Sequence, residues 1–285
     1  MGFWDFFKRK ANKNVKVALA LGGGGARGFA HIGALKAFEE LGIEISMVAG
    51  TSVGSIVGAG IAYGLSAQQM IDVATKIKKK DVVTSKFFFS VSTSENLEEF
   101  LGSLIGKDTM FSELKKPLCV VAVDMKTGRE VVIDHGFVCQ ACAGSAAVPG
   151  VFKPVVWEDM HLVDGGLKNN VPADVARKMG ADVVFAIDVN HTRGKGTHSL
   201  KMFSLLSSMV GVMMQSNVDD SLKFADVALF PDLTKFKSTK LENVTEMIQI
   251  GYDCVMENKN EILKLVSKKP SKRKKKLWQK RMENE

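Results

Sequence analysis

Residues 15–42, VKVALALGGGGARGFAHIGALKAFEELG, read as an apolar strand over Val15–Leu21, a run of four glycines and a helix reaching Leu41. Residues 45–64, ISMVAGTSVGSIVGAGIAYG, repeat that plan, with a short strand, a tight turn and a helix ending near Gly64. A strand that is almost continuously apolar is buried on both faces, and its alternation with helices calls for a mostly parallel sheet covered on two sides. Further strands of this kind are expected at Leu118–Val123, His161–Asp164, Asp182–Asp188 and Val227–Phe230, with helices between most of them and a last helix over Val244–Val266. The expected fold is therefore α/β, a three-layer αβα sandwich around a mostly parallel central sheet. No repeat at solenoid periods interrupts this reading.

Charge divides the chain differently. Residues 1–16 carry five Lys/Arg against one Asp, and residues 268–285 carry nine Lys/Arg against two Glu. Subtracting these +4 and +7 tails from the net +8 leaves −3 on the body. That argues against a basic nucleic-acid cleft in the folded domain and for tails that meet an anionic surface. In the segment 1–14, Phe3, Trp4, Phe6 and Phe7 precede Lys8, Arg9 and Lys10, the composition of a short amphipathic membrane anchor. Met1-Gly2 is a myristoylation-like start, but position 6 is Phe rather than Ser or Thr. No apolar run reaches the roughly 20 residues that span a bilayer, and no signal-peptide pattern opens the chain, so a cytoplasmic location is expected, peripheral on the inner face of the membrane. The segment 268–285 is expected to be a solvated basic tail beyond Pro270, with Trp278 in it.

Between the tails, 15–267 reads as one domain. Residues 80–115 lack clear strand periodicity at their start and place Phe87, Phe88 and Phe89 in a row, so they are expected either to fill a satellite core or to form a cap or acyl-chain channel. The Met-rich stretch 199–225 is apolar nearly all round and is expected to be a buried helix. Cys119, Cys139, Cys142 and Cys254 give neither a disulfide framework nor zinc-ligand spacing; Cys139 and Cys142 are expected to be small core-facing residues of a helix. No metal ion or organic cofactor is expected.

Three elements carry chemistry. Gly50-Thr51-Ser52-Val53-Gly54 is a GxSxG at a strand-to-helix turn, where Gly50 and Gly54 permit a sharp bend that exposes Ser52 beside a helix N-terminus. Gly22–Gly28, GGGGARG, also joins a strand to a helix, and its uncovered backbone N–H groups suit an oxyanion. Gly23, Gly25 and Gly28 equally satisfy the dinucleotide fingerprint GxGxxG, but the second strand ends in Ala49-Gly50-Thr51 without the acidic residue that would hold a ribose. Asp164 ends an apolar strand before Gly165 and Gly166, which places its carboxylate at the carboxyl edge of the sheet, together with Ser52 and the glycine loop.

In this order the three elements resemble the patatin-like phospholipase family, whose pattern is GGGxRG, then GxSxG, then DG[GA]. Here these are Gly23-Gly24-Gly25-Ala26-Arg27-Gly28, the Ser52 pentapeptide and Asp164-Gly165-Gly166, joined by a fourth family-like segment, Ala143–Val155. The resemblance covers residues 15–190 and implies a Ser-Asp dyad without histidine: Ser52 as nucleophile, Asp164 as general base, Gly23, Gly24 and Gly25 as oxyanion donors, and Arg27 orienting that loop or binding a lipid phosphate. It implies a serine acyl hydrolase acting on a lipid ester. His191 and His198 follow Asp164 in the order of an ordinary Ser-acid-His triad and keep that rival open, whereas His31, His135 and His161 are read as structural. The remaining alternatives are a non-catalytic membrane adaptor on the same fold and a dinucleotide-binding oxidoreductase. Oligomeric state is not legible.

Overall fold

The computed structural model describes residues 12, 14–76, 95–191, 218–268, 278 and 280, with 95 and 96 described by backbone alone. The chain alternates strands with helices: β1 (Val17–Leu21), α1 (Phe29–Glu40), β2 (Met47–Thr51), α2 (Val53–Tyr63), α3 (Ala67–Lys76) and α4 (Glu95–Ile105) come first. Then follow β3 (Leu118–Asp124), β4 (Glu130–Ile133), α5 (Val138–Ser145), β5 (Val155–Trp157), β6 (Met160–Asp164) and α6 (Ala173–Lys178). The chain continues through β7 (Val183–Ile187), α7 (Val218–Leu222), β8 (Val227–Leu229), α8 (Val244–Glu257) and α9 (Lys259–Val266). Among the described residues, no helix is long and apolar enough to cross a membrane.

The eight strands among the described residues form one sheet. Its centre is parallel, β3-β2-β1-β7-β8, and fully buried strands such as Val17–Leu21 and Val183–Ile187 account for the continuous apolar runs of the sequence. The two faces differ in size. Val17, Leu19 and Leu21 point into the larger core, while Ala18 and Ala20 face a smaller one with Ala49, Val175 and Ala186. On the larger face α1 and α8 cross closely: a Cβ on Gly33 would stand 1.7 Å from the carbonyl oxygen of Ile248, and one on Gly251 would stand 1.9 Å from that of Ala30. Only hydrogen fits at either position.

The antiparallel strands were not all expected. β4 alternates in exposure and β5 is only three residues long, so neither shows the buried run that marks the central strands. β4 takes one edge of β3 over Val120–Val123. The opposite edge of β3 is shared, β2 pairing in parallel with Leu118–Val121 and β6 antiparallel with Ala122–Asp124. β2 and β6 therefore run toward each other, and their last residues, Thr51 and Asp164, lie opposite the consecutive residues Val121 and Ala122.

Two further expectations change. The single helix over Val244–Val266 is broken at Asn258, whose N–H bonds to Val255 O at 3.1 Å and whose amide Nδ2 bonds to Cys254 O at 2.8 Å. These bonds take over carbonyls at the end of α8 and stop the helix. In the basic tail, Trp278 is buried, with the Arg177 guanidinium 3.6 Å from its ring centre. Cys139 and Cys142 are free, buried thiols on α5, and burial pushes them up to about 11 and about 12, so they are inert core groups. The N-terminal aromatic segment, Phe87–Phe89, His198 and the Met-rich stretch before Val218 lie outside the described residues.

Candidate active site

The junction of β2 with α2 fixes Ser52. Its backbone has φ 53° and ψ −127°, a conformation that a residue with a Cβ rarely adopts. Such a turn costs about 1–3 kcal/mol and persists only where surrounding bonds hold it. Here Ser52 N–H donates to Ser145 Oγ at 2.8 Å, Ser145 Oγ donates to Val121 O at 2.5 Å, and Ser55 Oγ donates to Ser52 O at 2.6 Å. Gly54 lets α2 approach β1, since a Cβ there would lie 2.1 Å from Leu21 O; one on Gly50 would lie 2.5 Å from Gly54 O.

The Ser52 hydroxyl donates to Asp164 Oδ2 at 2.8 Å. The other carboxylate oxygen, Oδ1, accepts Gly166 N–H at 2.8 Å, so the turn through Gly165 and Gly166 orients the acid. Asp164 is fully buried, and desolvation pushes it from 3.8 up to about 6 against the opposing pull of the Gly166 and Ser52 hydrogen bonds. Its position at the Ser52 end of β2 does not come from a parallel strand, as the sequence suggested. β6 is antiparallel, and the head-to-head meeting with β2 brings the side chains together.

The glycine loop is held peptide by peptide. Gly22 O meets His31 Nε2 at 2.8 Å, and Gly23 N–H donates to Asn170 O at 3.1 Å. Gly23 O accepts Asn170 Nδ2 at 3.4 Å, and Gly24 O accepts Arg27 N–H at 3.3 Å. The N–H groups of Gly24 and Gly25 have no backbone partner among the described residues. Gly23 stands over the serine, where its Cβ would lie 3.1 Å from Ser52 Cβ. The Arg27 side chain donates from Nε and Nη2 to Phe236 O at 3.0 and 2.8 Å and from Nη1 to Asn190 Oδ1 at 2.8 Å, which fastens the loop to the segments after β8 and β7.

The sequence matches the patatin-like phospholipase family model over residues 19–177, the span that contains the glycine loop, Ser52 and Asp164. The chain belongs to the patatin-like phospholipase family. It is 37% identical over 182 residues to patatin-like phospholipase domain-containing protein 6 of Mus musculus, covering 61% of this chain and 13% of that protein. It is 34% identical over 196 residues to lysophospholipase NTE1 of Mycosarcoma maydis, covering 64% of this chain and 10% of that protein. The chain thus spans a small part of the relatives it matches. Two solved structures share the fold. VipD from Legionella pneumophila has a TM-score of 0.50 at 14% identity over 88% of this chain and 68% of VipD. Human GIVD cytosolic phospholipase A2 has a TM-score of 0.52 at 11% identity over 88% of this chain and 59% of that one.

Within this patatin-like site, the hydroxyl of Ser52 meets a carboxylate directly. His191 instead approaches Asp188, at 3.7 Å, and packs on Phe230. His31 is buried, and burial pushes it down to about 4; its Nε2 carries the proton because its partner, Gly22 O, can only accept. His135 sits on the surface between Asp134 and Glu158, which raise it.

Several residues around the site carried no assigned role in the sequence. Asn169 N–H donates to Gly165 O at 2.9 Å, Asn169 O accepts Thr51 Oγ1 at 2.8 Å, and Asn169 Nδ2 donates to Asp174 Oδ1 at 2.8 Å. With Asn170 on Gly23, this Asn-Asn pair ties the three motifs together. Two consecutive amides between a glycine turn and a proline were the available signal.

Beside the glycine loop lies a cavity of about 80 Å³, lined by Gly25, Val53, Val57, Phe100, Leu104 and Leu241 among others. Its wall is almost entirely apolar. Among the described residues, no group of three or more His, Cys, Asp or Glu could hold a metal ion.

Proposed function

We propose that this chain is a serine acyl hydrolase that cleaves the carboxylic ester of a lipid through a Ser52–Asp164 dyad. The observation that carries the reading is the 2.8 Å bond from the hydroxyl of a strained, elbow-held Ser52 to a buried Asp164. Ser52 Oγ attacks the ester carbonyl while its proton passes to Asp164 Oδ2. A carboxylate raised to about 6 is a better base than an ordinary aspartate and is still mostly ionised at neutral pH. The oxyanion takes the N–H groups of Gly24 and Gly25; that of Gly23, already spent on Asn170 O, contributes to the loop rather than to the charge. The tetrahedral intermediate collapses, the alcohol leaves with the proton from Asp164, and the acyl group stays on Ser52. Water then attacks the acyl-enzyme, gives a proton to Asp164 and releases the fatty acid, after which Ser52 recovers its proton.

The apolar cavity beside Gly25 and Val53 suits the acyl chain. Phe100 and Leu104 bring α4 into its wall, which supports the acyl-channel reading of residues 80–115. Arg27, bound to Phe236 O and Asn190, is the loop-orienting residue rather than a phosphate ligand. The domain spans 15–267, and the basic segments 1–14 and 268–285 bring it to an anionic membrane on the cytoplasmic side. The names of the relatives, a patatin-like phospholipase domain-containing protein and a lysophospholipase, support a phospholipid or lysophospholipid substrate.

Hydrolysis of a short-chain ester and of a lysophospholipid tests the reading. Ser52→Ala and Asp164→Ala should each abolish turnover, and a His191→Ala/His198→Ala double variant should retain it. Loss of turnover in the histidine variant alone would favour a conventional triad instead.

A further inference from the structure

The orientation of the Gly23–Gly24 peptide decides where Gly24 N–H points. A peptide unit is planar and trans, so its C=O and N–H are directed oppositely, and pinning one fixes the other. Asn170 pins the carbonyl end, with Nδ2 3.4 Å from Gly23 O, while its own backbone oxygen takes Gly23 N–H at 3.1 Å. One residue thus grips two successive peptides and leaves Gly24 N–H directed away from it.

The environment of Asn170 fits this grip. The residue is buried, and its Oδ1 has no hydrogen-bond partner among the described residues. That oxygen sits 2.7 Å from where a Gly23 Cβ would be, so the absence of a side chain at position 23 is what lets the amide reach the loop. A buried amide whose oxygen goes unpaired is poorly explained by stability, because an unpaired buried acceptor is costly. It is well explained if Nδ2 has to face Gly23 O.

We propose that Asn170 is a positioning residue of the oxyanion site, holding the Gly23–Gly24 peptide in the orientation that presents Gly24 N–H to the developing negative charge. This inference rests on the hydrolase reading above. Asn170 touches no reacting atom; it acts through Gly24.

The test uses the full chain with Asn170→Asp, which keeps the shape but replaces the donor with a group that repels Gly23 O, and Asn170→Ala, which removes the grip without burying a charge. Three quantities are read: kcat and KM on a short-chain ester, inhibition by a trifluoromethyl ketone that forms an oxyanion adduct with serine, and inhibition by a non-hydrolysable ether analogue of the ester. Loss of one oxyanion donor costs roughly 100- to 1,000-fold in kcat, and a displaced one somewhat less, so kcat should fall roughly 10- to 100-fold. KM and ether affinity should stay within about twofold, and ketone affinity should fall in step with kcat/KM. If Asn170→Asp does not fold, Asn170→Ala carries the comparison. An active wild type whose folded Asn170 variants keep its kcat, or lose ketone and ether affinity equally, overturns this inference alone. A wild type that neither hydrolyses the ester nor binds the ketone overturns the hydrolase reading and this inference with it.

Discussion

Ser145 and Ser52 are joined through the backbone of the elbow: Ser145 Oγ accepts the Ser52 amide proton at 2.8 Å and donates its own to Val121 O at 2.5 Å. One hydroxyl therefore satisfies a buried donor just past the end of β2 and a buried acceptor on β3. Ser145→Ala should leave both unpaired and cost about 1–3 kcal/mol in urea unfolding. With its support gone, the strained turn should relax, and kcat on a short-chain ester should fall roughly tenfold or more.

Asp164 sets the pH dependence of the proposed reaction. Its carboxylate must be ionised to accept the serine proton, so kcat/KM should rise through an apparent pKa of about 6 and level off above it. Moving that limb to about 4 would show that the acid is more solvated than its buried position implies.

The same group links activity to stability. Because the folded state raises Asp164 from 3.8 to about 6, its contribution to stability is fully present below pH 3.8 and is lost as pH rises through about 6. Asp164→Asn should therefore abolish turnover yet stabilise the fold at pH 8, by on the order of 2–3 kcal/mol. Thermal or urea unfolding at pH 8 checks the sign; a destabilised variant would mean that the carboxylate is held by more than Gly166 and Ser52.

Gly54 has no room for a side chain, its Cβ falling 2.1 Å from Leu21 O. Gly54→Ala should push α2 off β1 and cost on the order of 2–4 kcal/mol, measured by urea unfolding, with activity lost in step.

Leu104 and Val57 face the apolar cavity. Leu104→Trp should fill it, lowering kcat/KM for long-chain esters at least tenfold while acetate and butyrate esters are turned over as before. Equal losses on both would place the acyl chain elsewhere.

The sheet centre and the three motifs were legible because each leaves a local mark: continuous apolar runs, glycines at strand ends, and polar residues stranded at those ends. Asp164 illustrates the limit. Its proximity to Ser52 depends on β6 running antiparallel along the same edge of β3 that β2 occupies, and no local pattern encodes which edge a strand takes. β4 was missed because an exposed edge strand such as Glu130–Ile133 carries little apolar signal. The break at Asn258 was missed because the apolar period runs on through it. Asn170 and Ser145 act on Gly23 and Ser52, each more than 90 positions away, and such long-range partners emerge only from the assembled sheet.

The most direct test of the Ser52–Asp164 account is the site and rate of fluorophosphonate labelling, read by peptide mass spectrometry. The reagent forms an Oγ–P bond with loss of fluoride, so it reports an activated serine independently of any lipid. The account predicts one adduct, on the peptide containing Ser52, absent from Ser52→Ala, slowed at least 100-fold in Asp164→Asn and unchanged in the His191→Ala/His198→Ala variant. An adduct on another residue, or Asp164→Asn labelled at the wild-type rate, would contradict it.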